Sequence, residues 1–301
     1  MSGKPIYWIG LISLALACTA AQAQRDFTEV QVVAHPVTDG IYMLTGSGGN
    51  IGLAIGADAT FIIDDQFAPL TEKIQATIQT LTDTPVSFVI NTHWHGDHVG
   101  GNENFGKAGA VIVAHDNVRA RMSTDQFMAN FNREVKASPP DALPVVTFDH
   151  RSSLHLNGDH AHIMHVPRAH TDGDAIVYFE KANVIHMGDT FFNGGFPFID
   201  TSSGGTIDGI INAAAKALAL ADSETRIIPG HGPLAAKGDL QGYHDMLEGV
   251  REAVASLKSD GLSLKEVIAA EPIAEYDEQY GAGFINAERI IGFVYETLGE
   301  N

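Results

Sequence analysis

The stretch THWHGDHVGG, residues 92–101, sets His93, His95, Asp97 and His98 within six positions, with only Trp94 and Gly96 between them. It follows VSFVINT (86–92), whose β-branched and aromatic residues predict a strand, so the cluster occupies a loop at a strand's C-terminal end. Side chains at i and i+2 of an extended backbone point the same way, so His93 and His95 can grip one ion. Asp97 and His98, past Gly96, can reach a second. A single loop cannot complete such a shell, so the fold has to carry further ligands to it.

Three later segments offer them. VPRAHTDGD gives His170, HMGDTFF gives Asp189 and IIPGHGP gives His231, each after an apolar strand and beside glycine or small residues that leave room for close approach. The other histidines take plainer roles. His155, His160, His162 and His165 lie in a stretch that reads as a hairpin, and His115 and His150 near turns. His186 packs or orients within its strand.

The segments IYMLTG (41–46), IGLAIGADATFIIDD (51–65) and VSFVINT carry strand residues bounded by Gly, Asp and Asn. Between them LTEKIQATIQTLTD (70–83) has Leu70, Ile74, Ile78 and Leu81 at helical spacing. A strand over 109–115 and a Met-bearing helix from Asn117 to Phe131 are expected next, then a Pro-rich connection at 136–144. The second half repeats the rhythm, with strands in 152–170, 174–180, 183–189 and 226–232 and a helix over 207–221. The tail from Asp239 to Leu298 reads as helical, broken at EPIAEYDEQYGAG. The glycine-rich GSGGNIG (46–52) lies between strands rather than before a helix, so it is a hairpin and not a phosphate cradle.

The formal charge of −19 over 301 residues disfavours a nucleic-acid or anionic-membrane partner and chiefly serves solubility; the expected partner is a small-molecule substrate. Residues 1–23 read as a secretory signal peptide: one lysine, an apolar run from Ile6 and the small-residue pattern Ala21-Gln22-Ala23, with cleavage before Gln24. The segment is too short for a stable membrane span. The single cysteine, Cys18, lies inside it; Ala15 stands where a lipid-attachment signal would have leucine. The expected product is a periplasmic or secreted chain, residues 24–301, that forms one domain with a helical C-terminal extension and no disulfide.

In order along residues 30–235, Asp64, His93-Trp94-His95-Gly96-Asp97-His98, His170, Asp189 and His231 resemble the metallo-β-lactamase superfamily. The resemblance implies an αββα sandwich with the metals at one edge of two sheets. It implies His93, His95 and His170 on a first metal, Asp97, His98 and His231 on a second, Asp189 bridging or completing the pair, and Asp64 steadying the ligand loop. Nitrogen-rich ligands with carboxylates suit two zinc ions per chain, and iron or manganese fit the same set.

The implied reaction is hydrolysis, with a hydroxide held by the metals attacking a carbonyl and Asp97 orienting the nucleophile and relaying a proton. No G-x-S-x-G elbow is present. AHTDGDAIVYF and IIPGHG are similar to segments of the two-zinc β-lactamases. Those enzymes, however, commonly keep a cysteine at the position of Asp189 and many a lysine at that of Phe192, which points to weak or incidental β-lactam turnover. A lactonase or thioesterase of the same fold is the alternative. The acidic tail and the export signal speak against a glutathione thioesterase. An iron-dependent redox enzyme of the persulfide dioxygenase type is the alternative from another class. The 46–50 and 192–205 loops should wall the pocket, with Phe191, Phe192, Phe196 and Phe198 as its floor.

Overall fold

Runs such as TFII (60–63) are buried at every position, which requires cover on both faces of a sheet. The computed structural model describes residues 26–299 and supplies that cover on each side. The expected signal peptide, its expected cleavage point and Cys18 lie outside the described residues.

A first sheet contains β1 (Val33–Thr38), β2 (Ile41–Thr45), β3 (Ile51–Ile55), β4 (Thr60–Ile63), β5 (Val86–Ile90) and β6 (Val111–His115). The hairpin β7 (Gln126–Met128) and β8 (Arg133–Val135) stands apart, and β9 (Val146–Phe148) closes the first sheet beside β6. β1 to β4 pair antiparallel, whereas β4, β5, β6 and β9 run parallel. The second sheet contains β10 (Arg151–Leu156), β11 (Asp159–His165), β12 (Ala175–Phe179), β13 (Val184–His186), β14 (Arg226–Ile228) and β15 (Ala235–Ala236), in that order. Only β13 and β14 pair parallel there.

The period-two alternation of the strands sorts their side chains into layers. Phe61 and Ile63 face the second sheet with Val177, Phe179 and Ile228, while Ile62 between them packs on Leu70, Ile74 and Ile78. The latter two belong to α1 (Thr71–Gln79). In the second sheet Ile176, Ile185 and Ile227 turn outward onto α5 (Ile207–Leu220), α6 (Lys237–Ser259) and α9 (Ala287–Thr297). The result is the four-layer αββα sandwich. The short α2 (Gly96–Val99) and α3 (Asn102–Lys107) follow β5, and α4 (Asp116–Met122) follows β6. No helix among the described residues is long and apolar enough to cross a membrane.

Three expectations need correction. The 51–65 segment is two strands, parted at residues 56–59. The helix expected from Asn117 to Phe131 stops at Met122; residues 126–135 form the β7–β8 hairpin, with Asn132 turning the chain at φ 45°. The break expected at 271–283 contains a two-turn helix over 274–280, which seats Tyr280 in the core.

Parallel pairing positions the centre. Strands that run side by side in one direction end side by side, so Asp64 and His93 leave β4 and β5 together. Asp189 and His231 likewise follow β13 and β14 at one edge.

Candidate metal centre

Asp64, fully buried, holds a left-handed backbone at φ 63°, which aspartate tolerates better than most residues. Its carboxylate accepts from the Thr92 backbone N–H at 2.7 Å, from Thr92 Oγ1 at 2.7 Å and from His98 Nδ1 at 2.7 Å. It therefore fixes both ends of the ligand loop. Because a carboxylate only accepts, His98 carries its proton on Nδ1 and turns a lone pair on Nε2 inward.

Three more imidazoles are fixed in the same way. Thr92 Oγ1 has given its proton to Asp64, so its 3.0 Å contact to His93 Nδ1 is donated by the histidine. His170 Nδ1 donates to the Phe198 carbonyl at 2.7 Å, and His95 Nε2 to Asp200 Oδ2 at 2.9 Å. Each outward nitrogen is used as a donor, so each inward nitrogen offers a lone pair. His95 Nδ1 and His170 Nε2 face one another at 2.8 Å, and His93 Nε2, buried, has no hydrogen-bond partner among the described residues. Lone pairs aimed at one another in a buried space call for a cation. The donor set of imidazoles and carboxylates fits a divalent ion.

Asp189 joins two groups. Its Oδ2 lies 3.6 Å from His170 Nε2 and 3.9 Å from His93 Nε2, while its Oδ1 lies 3.0 Å from His98 Nε2 and 3.3 Å from His231 Nε2. His231 Nε2 in turn lies 3.5 Å from Asp97 Oδ2 and 3.4 Å from His98 Nε2. These spacings match the edge of a zinc coordination tetrahedron, about 3.3 Å for bonds of about 2.0–2.1 Å. All the residues expected in the site thus converge: His93, His95, His170 and Asp189 on one side, Asp97, His98 and His231 on the other.

Charge follows the same division. Burial first, and then the neighbouring imidazoles, hold His93 well below its ordinary range and His170 down at about 4. Burial would lower His98 and His231 too, but Asp189 outweighs it and holds both above. Asp189 itself is drawn well below the usual carboxylate range by those two residues, against its own burial.

Two glycines make room. A Cβ on Gly49 would lie 2.1 Å from the His98 ring, and one on Gly230 2.1 Å from Asp189 Oδ1 and 2.5 Å from backbone. The expected hairpin at 46–52 joins β2 to β3, and it docks through Gly49 N–H to the Asp97 carbonyl at 3.1 Å.

The centre opens into a cavity of about 850 Å³. Gly48, Phe192, Phe196 and Phe198 line it as expected, but Phe191 is core, packed on Tyr243 at a ring spacing of 4.9 Å. Met128, Phe131 and Arg133 from the unexpected β7–β8 hairpin form another wall, joined by Phe67 and Phe284. Sequence reasoning also missed Asp200, whose only signal is an acid in the Gly/Ser-rich 193–209 segment. Trp94 Nε1 donates to Ser203 Oγ, and Ser203 Oγ donates to Asp200 Oδ2, so Trp94 braces the residue that orients its neighbour His95. His186 is confined to its strand, 3.2 Å from the Asn50 carbonyl.

The model of the metallo-beta-lactamase superfamily matches residues 44–231. The chain belongs to this superfamily. It is 28% identical over 191 residues, 60% of this chain and 86% of the relative, to a probable metallo-hydrolase, YqgX, of Bacillus subtilis (strain 168). It is 30% identical over 147 residues, 48% of each chain, to a hydroxyacylglutathione hydrolase of Polaromonas sp., so it spans about half of that enzyme. Among solved structures, a metallo-beta-lactamase from Pontibacter korlensis superposes with TM-score 0.59 at 17% identity, over 72% of this chain and 99% of that one. The sec-alkylsulfatase Pisa1 from Pseudomonas sp. superposes with TM-score 0.67 at 16% identity, over 89% of this chain and 50% of that one. At these identities the superpositions speak for the fold. The superfamily and the His/Asp cluster together make this a divalent-metal protein.

Proposed function

We propose that residues 24–301 act as a dinuclear zinc hydrolase that opens a cyclic ester or amide. The observation that carries this reading is Asp189, which presents one carboxylate oxygen to each ligand group. His93, His95 and His170 would hold one ion, Asp97, His98 and His231 the other, with Asp189 shared. When bound, such a pair supplies an activated water near neutral pH and polarises a carbonyl. Asp97, about a third exposed, lines the cavity 3.5 Å from His231, where its carboxylate orients the attacking water and passes the proton to the leaving group. The aromatic walls receive the apolar part of the substrate and keep bulk water from the carbonyl.

Phe192 stacks on His231 and offers no charge to a substrate carboxylate. Arg133, which also lines the cavity, brings a guanidinium that suits an anionic group on the substrate. With an oxygen ligand at Asp189 in place of sulfur and no charge at Phe192, β-lactam hydrolysis is expected as a lesser activity. Zinc-loaded protein assayed side by side on a chromogenic cephalosporin, an acyl-homoserine lactone and a thioester tests the reading, with ring opening of the lactone or lactam expected. A protein that carries iron as purified, oxidises a persulfide and hydrolyses nothing with zinc would overturn it in favour of the redox alternative. Thioester hydrolysis is the second reading, supported by the hydroxyacylglutathione hydrolase matches; thioester turnover exceeding lactone turnover would select it. Export belongs to the same proposal: the mature protein should begin at Gln24 on N-terminal sequencing of a periplasmic or secreted fraction.

A further inference from the structure

Another group of imidazoles lies away from this centre, on β11. The strand's alternation sends Ala161 and Ile163 into the space between the sheets and leaves His160 and His162 on the opposite face. Glu180, the first residue after β12, is brought alongside by its own backbone N–H, which donates to the His160 carbonyl at 3.1 Å. His160 Nδ1 and His162 Nε2 then lie 3.1 Å each from one atom, Glu180 Oε2, and all three ligand atoms fall within 4.8 Å of one another. A zinc tetrahedron with bonds of about 2.0–2.1 Å has edges of about 3.3 Å. His155 pairs opposite His160 in register and sets a third imidazole ring 4.6 Å from it.

The arrangement is held before any ligand arrives. The Asp159 carboxylate accepts from the backbone N–H of His160 at 2.6 Å, of Lys181 at 2.7 Å and of Ala182 at 2.9 Å. Lys181 Nζ donates to the Gly158 carbonyl at 2.5 Å. These bonds lace the turn before β11 to the turn after β12, so the backbone that carries Glu180 is held beside the two histidines. The three side chains are 42%, 35% and 53% exposed, open to an ion from solution. The surplus negative charge of the chain favours its approach.

We infer that His160, His162 and Glu180 form a separate surface site for a borderline divalent ion such as zinc, with solvent completing its shell. Bound there, the ion ties β11 to the end of β12 and adds to thermal stability by mass action. The inference is independent of the hydrolytic reading.

The test is zinc content per chain after equilibrium dialysis against micromolar free zinc, by elemental analysis, for the unaltered protein and for His160→Ala/His162→Ala. The expected result is one equivalent fewer in the variant, and a smaller zinc-induced rise in Tm. Glu180→Gln, which keeps both imidazoles, should lose the same equivalent and separates a built site from loose histidine binding. The difference between proteins decides, so the test stands whatever the main centre holds. Equal zinc content in all three proteins would overturn the inference and leave two histidines hydrogen-bonded to a glutamate.

Discussion

Asp200 touches no proposed ion, yet it should govern one ligand. It is fully buried and accepts from His95 Nε2 at 2.9 Å, with Ser202 and Ser203 also donating to its carboxylate. The bond from His95 fixes the proton on Nε2 and so keeps Nδ1 free to ligate. Asp200→Asn can still accept from His95 but without charge. A charge-assisted bond of about 1.5–3 kcal/mol falls to a neutral one of about 0.5–1.5 kcal/mol. The difference of about 1–1.5 kcal/mol is about tenfold in affinity for the ion held by His95. Asp200→Ala leaves a buried N–H without an acceptor, at about 1–3 kcal/mol, and lets the proton move to Nδ1, where it blocks the ligand. Its loss should approach the upper end of the ~10–100-fold range for partners of metal-binding imidazoles. Competition for zinc with a chromophoric chelator at pH 7 reads the affinity, and Tm of the metal-stripped proteins checks that the fold persists. Unchanged zinc affinity in Asp200→Ala would refute this role for Asp200.

Gly230→Ala, whose Cβ would sit 2.1 Å from Asp189 Oδ1, should displace that carboxylate, with loss of bound metal and of hydrolysis by more than about tenfold, read by elemental analysis and turnover. Arg133→Ala should raise KM for anionic substrates by about tenfold and leave kcat and neutral substrates nearly untouched; equal effects on both classes would remove Arg133 from recognition. Zinc binding should release protons unevenly. His98 and His231, held above their ordinary range beside Asp189, must shed protons for the ion to bind, whereas His93 and His170, held below it, are already neutral. Affinity at the Asp97-His98-His231 side therefore rises with pH through neutrality, and calorimetry in buffers of different ionisation enthalpy should show more protons released there than at the other side.

The sandwich was legible because both sheets are covered on two faces, so strands such as TFII read as unbroken apolar runs between glycine-rich turns. The loop ligands were legible because His93 to His98 are close in sequence. His170, Asp189 and His231 were legible because each ends a strand beside small residues. Asp200 was not, since its partner His95 lies 105 residues away and nothing local marks an acid that faces inward. The β7–β8 hairpin was misread for a different reason. Met122, Phe127, Met128 and Phe131 mimic a helical apolar stripe, but Met122 packs from α4, Phe127 is exposed, and Met128 and Phe131 line the cavity. The hairpin pairs only with itself among the described strands, so no sheet neighbour reveals it in the sequence. It carries Arg133, and with it the cation that the Phe192 position lacks.

Diffraction recorded above and below the zinc absorption edge, on crystals of protein purified without added metal, tests the two-ion centre most directly. Two anomalous peaks about 3.5–4 Å apart on either side of Asp189, one beside His93, His95 and His170 and one beside Asp97, His98 and His231, are the predicted result. A single peak, or an iron edge in place of zinc, would contradict it.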